Sequence, residues 1–294
     1  MTQESCTVIA EIGCNHMGDF ELAKKFIDVA SSFCGVTHVK FQKRNSLELL
    51  PPEQYGAPHP VPENAFGLTY GAHREFLEFD IDQHRALQSY CKQRAMVYSS
   101  SVWDVTSLRE IAFLEPTYIK IPSATNTHHV LLETACNEFG GQIHLSLGMT
   151  TRAEEDQVVE IFRRNGRLDA LVLYACTSGY PIEPHEVCLL EIPRLIKTYG
   201  SDVAAIGYSG HHKGIAIDMA AVTLGAQFIE RHFTLDRTWK GTDHAASLEP
   251  DGLRRLARNV DEVIMTLQAR PSEILPIEEP QRAKLKWHGA TDAA

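Results

Sequence analysis

No apolar run in this chain approaches the ~18 residues that a membrane helix needs, so the sequence does not read as a bilayer-spanning or membrane-bound protein. The start, MTQESCTVIAEIG, lacks a basic region followed by an apolar core, and no secretory leader is expected there. Positive charge is in short supply: 28 Lys and Arg stand against 38 Asp and Glu, a formal net charge of −10. That balance speaks against a nucleic-acid partner, although a local basic pocket can still hold an anionic substrate. No Cys-x-x-Cys pair occurs among the seven cysteines (Cys6, Cys14, Cys34, Cys91, Cys136, Cys176, Cys188). An odd, scattered set reads as reduced thiols in a cytoplasmic enzyme. No Gly-x-Gly-x-x-Gly follows an apolar run, which removes the usual mark of a dinucleotide-binding open sheet. Low-complexity segments and evident repeats are also missing.

What is present is an ordinary globular composition, 44% hydrophobic and 22% charged, in a chain of 294 residues. That length suits one α/β barrel. Apolar runs that read as buried strands begin near residues 8, 38, 96, 118, 143, 170, 203 and 228, each followed by a helical pattern. Asp19 and Asp104 stand where helix caps are needed, and Thr151 with Glu154 forms a capping box. Eight such units predict an α/β protein, a single-domain (β/α)8 TIM barrel over residues 1–270; a doubly wound open sheet is the alternative. Residues 43–79 break the rhythm with Pro51, Pro52, Pro58, Pro60 and Pro62, and read as a long functional loop or lid. Residues 271–294, with three prolines and no clear period, read as a partly disordered C-terminal tail.

The chemistry is concentrated between Ile206 and Pro250, IGYSGHHKGIAIDMAAVTLGAQFIERHFTLDRTWKGTDHAASLEP. One apolar run there ends at Ser209 and His211, and the next ends at Glu230, Arg231 and His232. Ligands in parallel α/β folds sit at the carboxyl ends of strands, so these two histidines can converge. Two imidazoles with carboxylate or water oxygens suit a divalent metal such as manganese. For either histidine alone, a structural hydrogen bond is the commoner explanation. The remaining strand ends offer Glu11, Lys40, Gln42, Ser100, Lys120, Ser123, Ser146, Thr177, Ser178 and Tyr180. Lysine supplies a point charge and serine a hydrogen bond, so this set suits a small polyanion such as a phosphorylated carboxylate. Each lysine could instead pair with a structural carboxylate; the two together, among serines, favour the anion site. Glu11 in an apolar strand is costly if charged and unpaired, so it pairs with a lysine or metal-bound water, or serves as a tuned acid/base. His212 reads as a solvent-facing neighbour. His16, in the first turn, is explained as well by a structural hydrogen bond as by catalysis. Cys14, Cys34 and Cys176 read as small apolar residues.

AEIGCNHMGD, VKFQ, YIKIPS, LSLGM, ACTSGYP, GYSGHHKGI, ERHFTLD and GTDHAASLEP follow one another along the chain. From about Val8 to about Leu267 they resemble, in order, the blocks of the sialic acid synthase (N-acetylneuraminate synthase) family. GLTYGAHREFLEF, GYSGH and TWKGTDHAASLEP are more similar to the animal-type members than to many bacterial ones. The resemblance implies a transferase that condenses phosphoenolpyruvate with N-acetylmannosamine or its 6-phosphate. The product is a 2-keto-3-deoxy sugar acid, and phosphate is released. It implies a divalent metal, manganese or else magnesium or cobalt, held by His211 and His232. It assigns phosphoenolpyruvate to Lys40, Lys120, Ser123, Ser146, Ser178 and Ser209, with Ser100 a weaker match. It assigns the amino sugar to Gln42, Tyr180 and Asp243, and catalytic roles to Glu11, His211, His232 and Asp243.

Two departures bear on the acceptor. The family commonly has an acid two positions after the serine of its KI-x-S block, where this chain has Thr125. The family also carries a small C-terminal antifreeze-like domain whose arginine reaches the sugar in a partner subunit. This chain ends at Ala294, about where that domain would begin. The expectation is therefore poor use of N-acetylmannosamine and preference for another aldose, unless a separate antifreeze-like protein or the 43–79 loop completes the site. A homo-oligomer is a further partner consistent with the resemblance. Two other classes compete with the synthase: a Schiff-base lyase-type aldolase using Lys40 or Lys120, and a catalytically silent sugar-binding barrel.

Overall fold

The apolar runs fold as short parallel strands whose side chains are buried on both faces, as a sheet covered by helices requires. In the computed structural model, which describes residues 5–287, they are β1 (Thr7–Gly13), β2 (His38–Lys43), β3 (Val97–Val102), β4 (Tyr118–Ile121), β5 (Gln142–Ser146), β6 (Leu171–Cys176), β7 (Ala205–Gly210) and β8 (Phe228–His232). They pair in chain order, and β1 closes on β8, so the eight strands make a complete barrel. The open-sheet alternative is thereby excluded. Expected strand starts near 96, 143, 170 and 203 fall at Val97, Gln142, Leu171 and Ala205.

Helices α1 (Phe20–Ser32), α5 (Ile81–Lys92), α6 (Val105–Ala112), α7 (His129–Glu138), α8 (Arg152–Arg164), α9 (Glu191–Tyr199), α10 (Ala216–Thr223) and α11 (Pro250–Thr266) ring the barrel. Their starts follow the expected chemistry. Asp19 accepts from the Leu22 N–H, Asp104 from Ser107, and Thr151 with Glu154 closes a reciprocal cap. One apolar layer lies between strands and helices, with Phe26, Ile27, Leu108, Leu131, Phe162 and Leu253 fully buried. The lower end of the barrel is filled by rings. His144 stacks on Tyr118 at 4.2 Å, lies 4.9 Å from Phe228, and shares a hydrogen bond of 2.8 Å with the Tyr174 hydroxyl. The interior is therefore packed below and can open only at the carboxyl ends of the strands.

Residues 43–79 are not an irregular loop. They hold α2 (Ser46–Leu49), α3 (Pro52–Gly56), a 3₁₀ turn at Pro62–Asn64 and α4 (Tyr70–Leu77), capped by Thr69 accepting from the Ala72 N–H. Four- and five-residue helices are too short to leave a readable period, which is why the prolines dominate the sequence signal. Beyond α11, the expected tail contains a 3₁₀ turn at Pro276–Glu278 and α12 (Glu279–Leu285); its end, 288–294, lies outside the described residues. No described helix is long and apolar enough to cross a membrane.

Candidate active site

Strand alternation and barrel register together place one polar side chain from almost every strand at the open end. Glu11 is level with Lys40 on one side and His232 on the other. Ser101 is level with Lys120, and Ser209 with both Cys176 and Glu230. All of these border one cavity of about 380 Å³, as do Gln42, Ser123, Ser146, Ser178, Tyr180, His211 and Asp243.

Charge in its depth is arranged in pairs. The Lys40 ammonium lies 2.5 Å from Glu11 and 3.8 Å from Glu230, and donates to the Ser101 hydroxyl at 2.6 Å. The Lys120 ammonium lies 3.1 Å from Glu230 and 3.6 Å from the Tyr174 ring centre. Ser209 donates to Glu230 at 3.2 Å. Burial raises the Glu11 carboxyl, the Lys40 ammonium opposes the rise, and the Glu230 charge adds to it; the balance lies above the ordinary value. Burial also works against the Glu230 carboxylate, but Lys120 and Lys40 outweigh it and hold that group well below the usual range. Burial lowers Lys120 against the pull of Glu230.

A cradle of small groups lies beside the lysines. The Gly148 N–H donates to the Ser123 hydroxyl at 3.1 Å. A Cβ at Gly148 would stand 2.4 Å from the Ser178 hydroxyl and 2.7 Å from that of Ser123, so only glycine lets both approach. Gly13 has φ +56° and would bring a Cβ to 2.9 Å from Gln42 Nε2, so glycine there clears space for the Gln42–Glu11 hydrogen bond of 3.1 Å.

His211 and His232 converge, with ring centres 5.5 Å apart, and Tyr180 packs on both at 4.3 and 5.6 Å. His211 Nδ1 donates to the Thr177 carbonyl at 2.8 Å, which leaves Nε2 as a bare lone pair. Burial, with His232 beside it, pushes His211 down to about 4, so the ring is neutral at pH 7. His232 Nδ1 is buried without a hydrogen-bond partner and lies 3.9 Å from the Asp243 carboxylate. Among the described residues no group of three His, Cys, Asp or Glu forms a ready metal cage. The donor set is two imidazoles with one carboxylate nearby. Such a set can hold a cation only with water or substrate oxygens completing its shell.

Several expectations are corrected. Ser100 is fully buried and does not border the cavity; alternation turns Ser101 inward instead. Thr125 is buried outside the cavity wall, where Ala124 stands, so its hydroxyl does not face a substrate. Thr177 contributes its carbonyl to His211, while its hydroxyl donates to Glu186. His212 is not solvent-facing: it is 1% exposed and lies between the Tyr208 hydroxyl and the buried Arg231–Asp218 pair. His16 is structural, stacked on Phe79 at 4.1 Å and accepting from the Gly18 N–H. Besides Ser101, Glu230 is a site residue that the sequence candidates omitted. Its signal was a charge at alternate spacing from His232 in an apolar run.

A model of the NeuB family matches residues 26–270. The chain is 38% identical over 291 residues to the human N-acetylneuraminate-9-phosphate synthase, covering 96% of this chain and 77% of that protein. It is 34% identical over 257 residues to the N,N'-diacetyllegionaminic acid synthase of Campylobacter jejuni, covering 87% and 75%. The crystal structure of the N-acetylneuraminic acid synthetase of Leptospira borgpetersenii, in complex with citrate, superposes with a TM-score of 0.80 at 29% identity, covering 96% of this chain and 93% of that one. The 3-deoxy-D-arabino-heptulosonate 7-phosphate synthase of Thermotoga maritima, at 15% identity and a TM-score of 0.66, shares the fold alone. With its barrel closed, its polar residues gathered at one mouth and most of its length matched by the family model, this chain belongs to the NeuB family of sialic acid-type synthases.

Proposed function

We propose that this protein joins phosphoenolpyruvate to an aldehyde sugar, forming a carbon–carbon bond and releasing phosphate. The observation that carries the reading is the meeting of Lys40 and Lys120, from two different strands, in a cavity that also holds His211 and His232. The lysines take the phosphate and carboxylate of phosphoenolpyruvate, loosening their pairs with Glu11 and Glu230. Ser123, Ser146, Ser178, Ser209 and the Gly148 cradle supply hydrogen bonds as charge shifts during the reaction. Gln42, Tyr180 and Asp243 orient the sugar so that its aldehyde carbon faces the methylene carbon. His211 and His232 would hold a divalent cation, manganese being the one the family resemblance implies, whose contribution would be to polarise the aldehyde oxygen.

The methylene carbon bonds to the aldehyde carbon, and the adjoining carbon becomes electron-poor. Water adds there, the carbon–oxygen bond to phosphate breaks, and a 2-keto sugar acid remains. Glu11, its carboxyl raised by burial, is placed to take the proton that water gives up. The animal relatives are named for a phosphorylated product and the Campylobacter relative for one named without phosphate, so the names leave the acceptor open.

The test is phosphate release from phosphoenolpyruvate with manganese and a panel of aldoses. Release that depends on both substrates supports the synthase, and none with any aldose overturns it. The lowered Lys120 is the one observation that favours a Schiff-base aldolase. Borohydride trapping with pyruvate separates the two, since only the aldolase leaves a stable adduct.

A further inference from the structure

The charged depth of the cavity has a fourth member that carries no charge. The even-numbered strands each contribute one side chain there: Lys40 from β2, Lys120 from β4, Tyr174 from β6 and Glu230 from β8, the alternate-strand layering of a closed barrel. Tyr174 is fully buried and does not border the cavity, so it has no direct contact with a substrate held there. What it touches is Lys120, whose ammonium sits 3.6 Å from the ring centre. That is well inside the ~6 Å within which an aromatic face attracts a cation, and the attraction is strongest where water is excluded. The ring is fixed by its neighbours. Gly207 is level with Tyr174 on β7, and a Cβ there would stand 2.6–3.0 Å from three ring atoms, so glycine lets the ring lie against the strand. The Tyr174 hydroxyl shares a hydrogen bond of 2.8 Å with His144 Nδ1, and His144 stacks on Tyr118. Burial and then the Glu230 charge keep the Tyr174 hydroxyl protonated, and burial with the Lys120 charge keeps His144 neutral. The whole support beneath Lys120 is therefore uncharged.

Lys120 has two holds of different kinds. Glu230, at 3.1 Å, is negative and competes with any anion for the ammonium. The Tyr174 face attracts the same ammonium without placing a negative charge in the path of an incoming one. Without the ring, the ammonium would settle on Glu230, and an anion would have to draw it away. We infer that Tyr174 is a positioning residue for the phosphoenolpyruvate site: its ring keeps the Lys120 ammonium in place and only partly engaged by Glu230, so that a bound anion can share it. This inference rests on the condensation proposed above for the identity of the anion.

The test separates the face of the ring from its shape and from its hydroxyl. Phosphoenolpyruvate affinity is measured by calorimetry on the full chain, without acceptor, in wild type, Tyr174→Phe and Tyr174→Leu. A further variant carries a trifluorinated phenylalanine in place of Tyr174, whose ring keeps its shape but loses its negative face. Tyr174→Phe should bind within about threefold of wild type, although loss of the hydroxyl leaves His144 Nδ1 unpartnered and should lower the melting temperature. The fluorinated ring and Tyr174→Leu should each bind roughly tenfold more weakly than Tyr174→Phe, part of what a desolvated cation–π contact is worth. In steady state the loss should appear in KM for phosphoenolpyruvate, with KM for the aldose unchanged. A fluorinated ring that binds as tightly as Tyr174→Phe overturns the inference. So does a Tyr174→Phe as weak as Tyr174→Leu, which would place the effect in the hydroxyl. If wild type binds phosphoenolpyruvate but releases phosphate with no aldose, the condensation alone fails, and the ranking of the ring variants still judges Tyr174. A wild type that does not bind phosphoenolpyruvate overturns both.

Discussion

Lys120 lies almost wholly out of solvent, and its ammonium is tolerated there because Glu230 is 3.1 Å away. Removing one partner of such a buried pair leaves the other uncompensated. Lys120→Ala should weaken phosphoenolpyruvate binding by roughly 1.5–3 kcal/mol, the worth of a charged hydrogen bond. Calorimetry showing unchanged affinity would reject Lys120 as an anion ligand. Glu230→Gln should lower unfolding stability by roughly 3–5 kcal/mol, because Lys120 loses its counter-charge while Lys40 keeps only Glu11. Phosphoenolpyruvate, itself an anion, should then raise the melting temperature of the variant more than that of wild type. An equal or smaller rise would show that the ligand does not meet the lysines. His211→Ala and His232→Ala should each abolish turnover while far-ultraviolet circular dichroism stays unchanged, and chelation should do the same reversibly. Full activity after chelation, or in both variants, would falsify the cation role.

At the level of elements, the turn after β5 shows how backbone sets chemistry. Gly148 sits where any Cβ would push apart the Ser123 and Ser178 hydroxyls. Gly148→Ala should raise KM for phosphoenolpyruvate by roughly ten- to hundredfold, since a displacement of about 1 Å in a positioning group has that effect. An unchanged KM would mean that these serines do not hold the substrate. The loop after β7 is held from outside the barrel. Arg231, on the far face of β8 from His232, donates to Asp218 and to the His212 and Gly214 carbonyls. That clamp links the two strand ends that carry His211 and His232. The short helices of 43–79 follow β2 on the same rim, with Asn45 and Thr69 capping α2 and α4.

For the molecule as a whole, buried neutral histidines tie stability to pH. His84, between α5 and β3, shares a hydrogen bond of 2.7 Å with the Tyr98 hydroxyl, and burial pushes it down to about 3 from an ordinary 6.5. Between those values the unfolded chain binds a proton that the folded chain refuses. Stability therefore falls as pH drops through about 6.5 and goes on falling toward about 3. The loss from His84 alone is about 2 kcal/mol at pH 5 relative to pH 8. Urea unfolding at both pH values should show a gap that narrows by about that amount in His84→Phe. A gap of the same size in the variant would assign the pH dependence to other groups.

The sequence alone determined the eight strand–helix units and favoured a barrel, because apolar runs alternating with helical periods are local patterns, whereas the pairing of β1 with β8 that excludes an open sheet is a tertiary fact. It also singled out Lys40, Lys120, His211 and His232, since charge inside an apolar strand is conspicuous wherever the strand ends up. Tertiary structure decided the rest. Ser99, Ser100 and Ser101 are alike on paper; alternation turns Ser100 away from Ser101, and the pairing of β3 with β4 sets Ser101 level with Lys120 at the cavity. Thr125 and Ala124 are one step apart, and the backbone after β4 puts Ala124 in the wall. His212 looked exposed because its partners, Arg231 and Asp218, lie 19 and 6 residues further along and meet it only when β7, β8 and α10 pack. Lys120 and Tyr174 lie 54 residues apart in the chain, and closure of the barrel brings the ammonium over the ring. Periodicity is carried by neighbours in sequence, whereas a site is made by residues from different strands; closing the sheet into a ring is the physical step between the two.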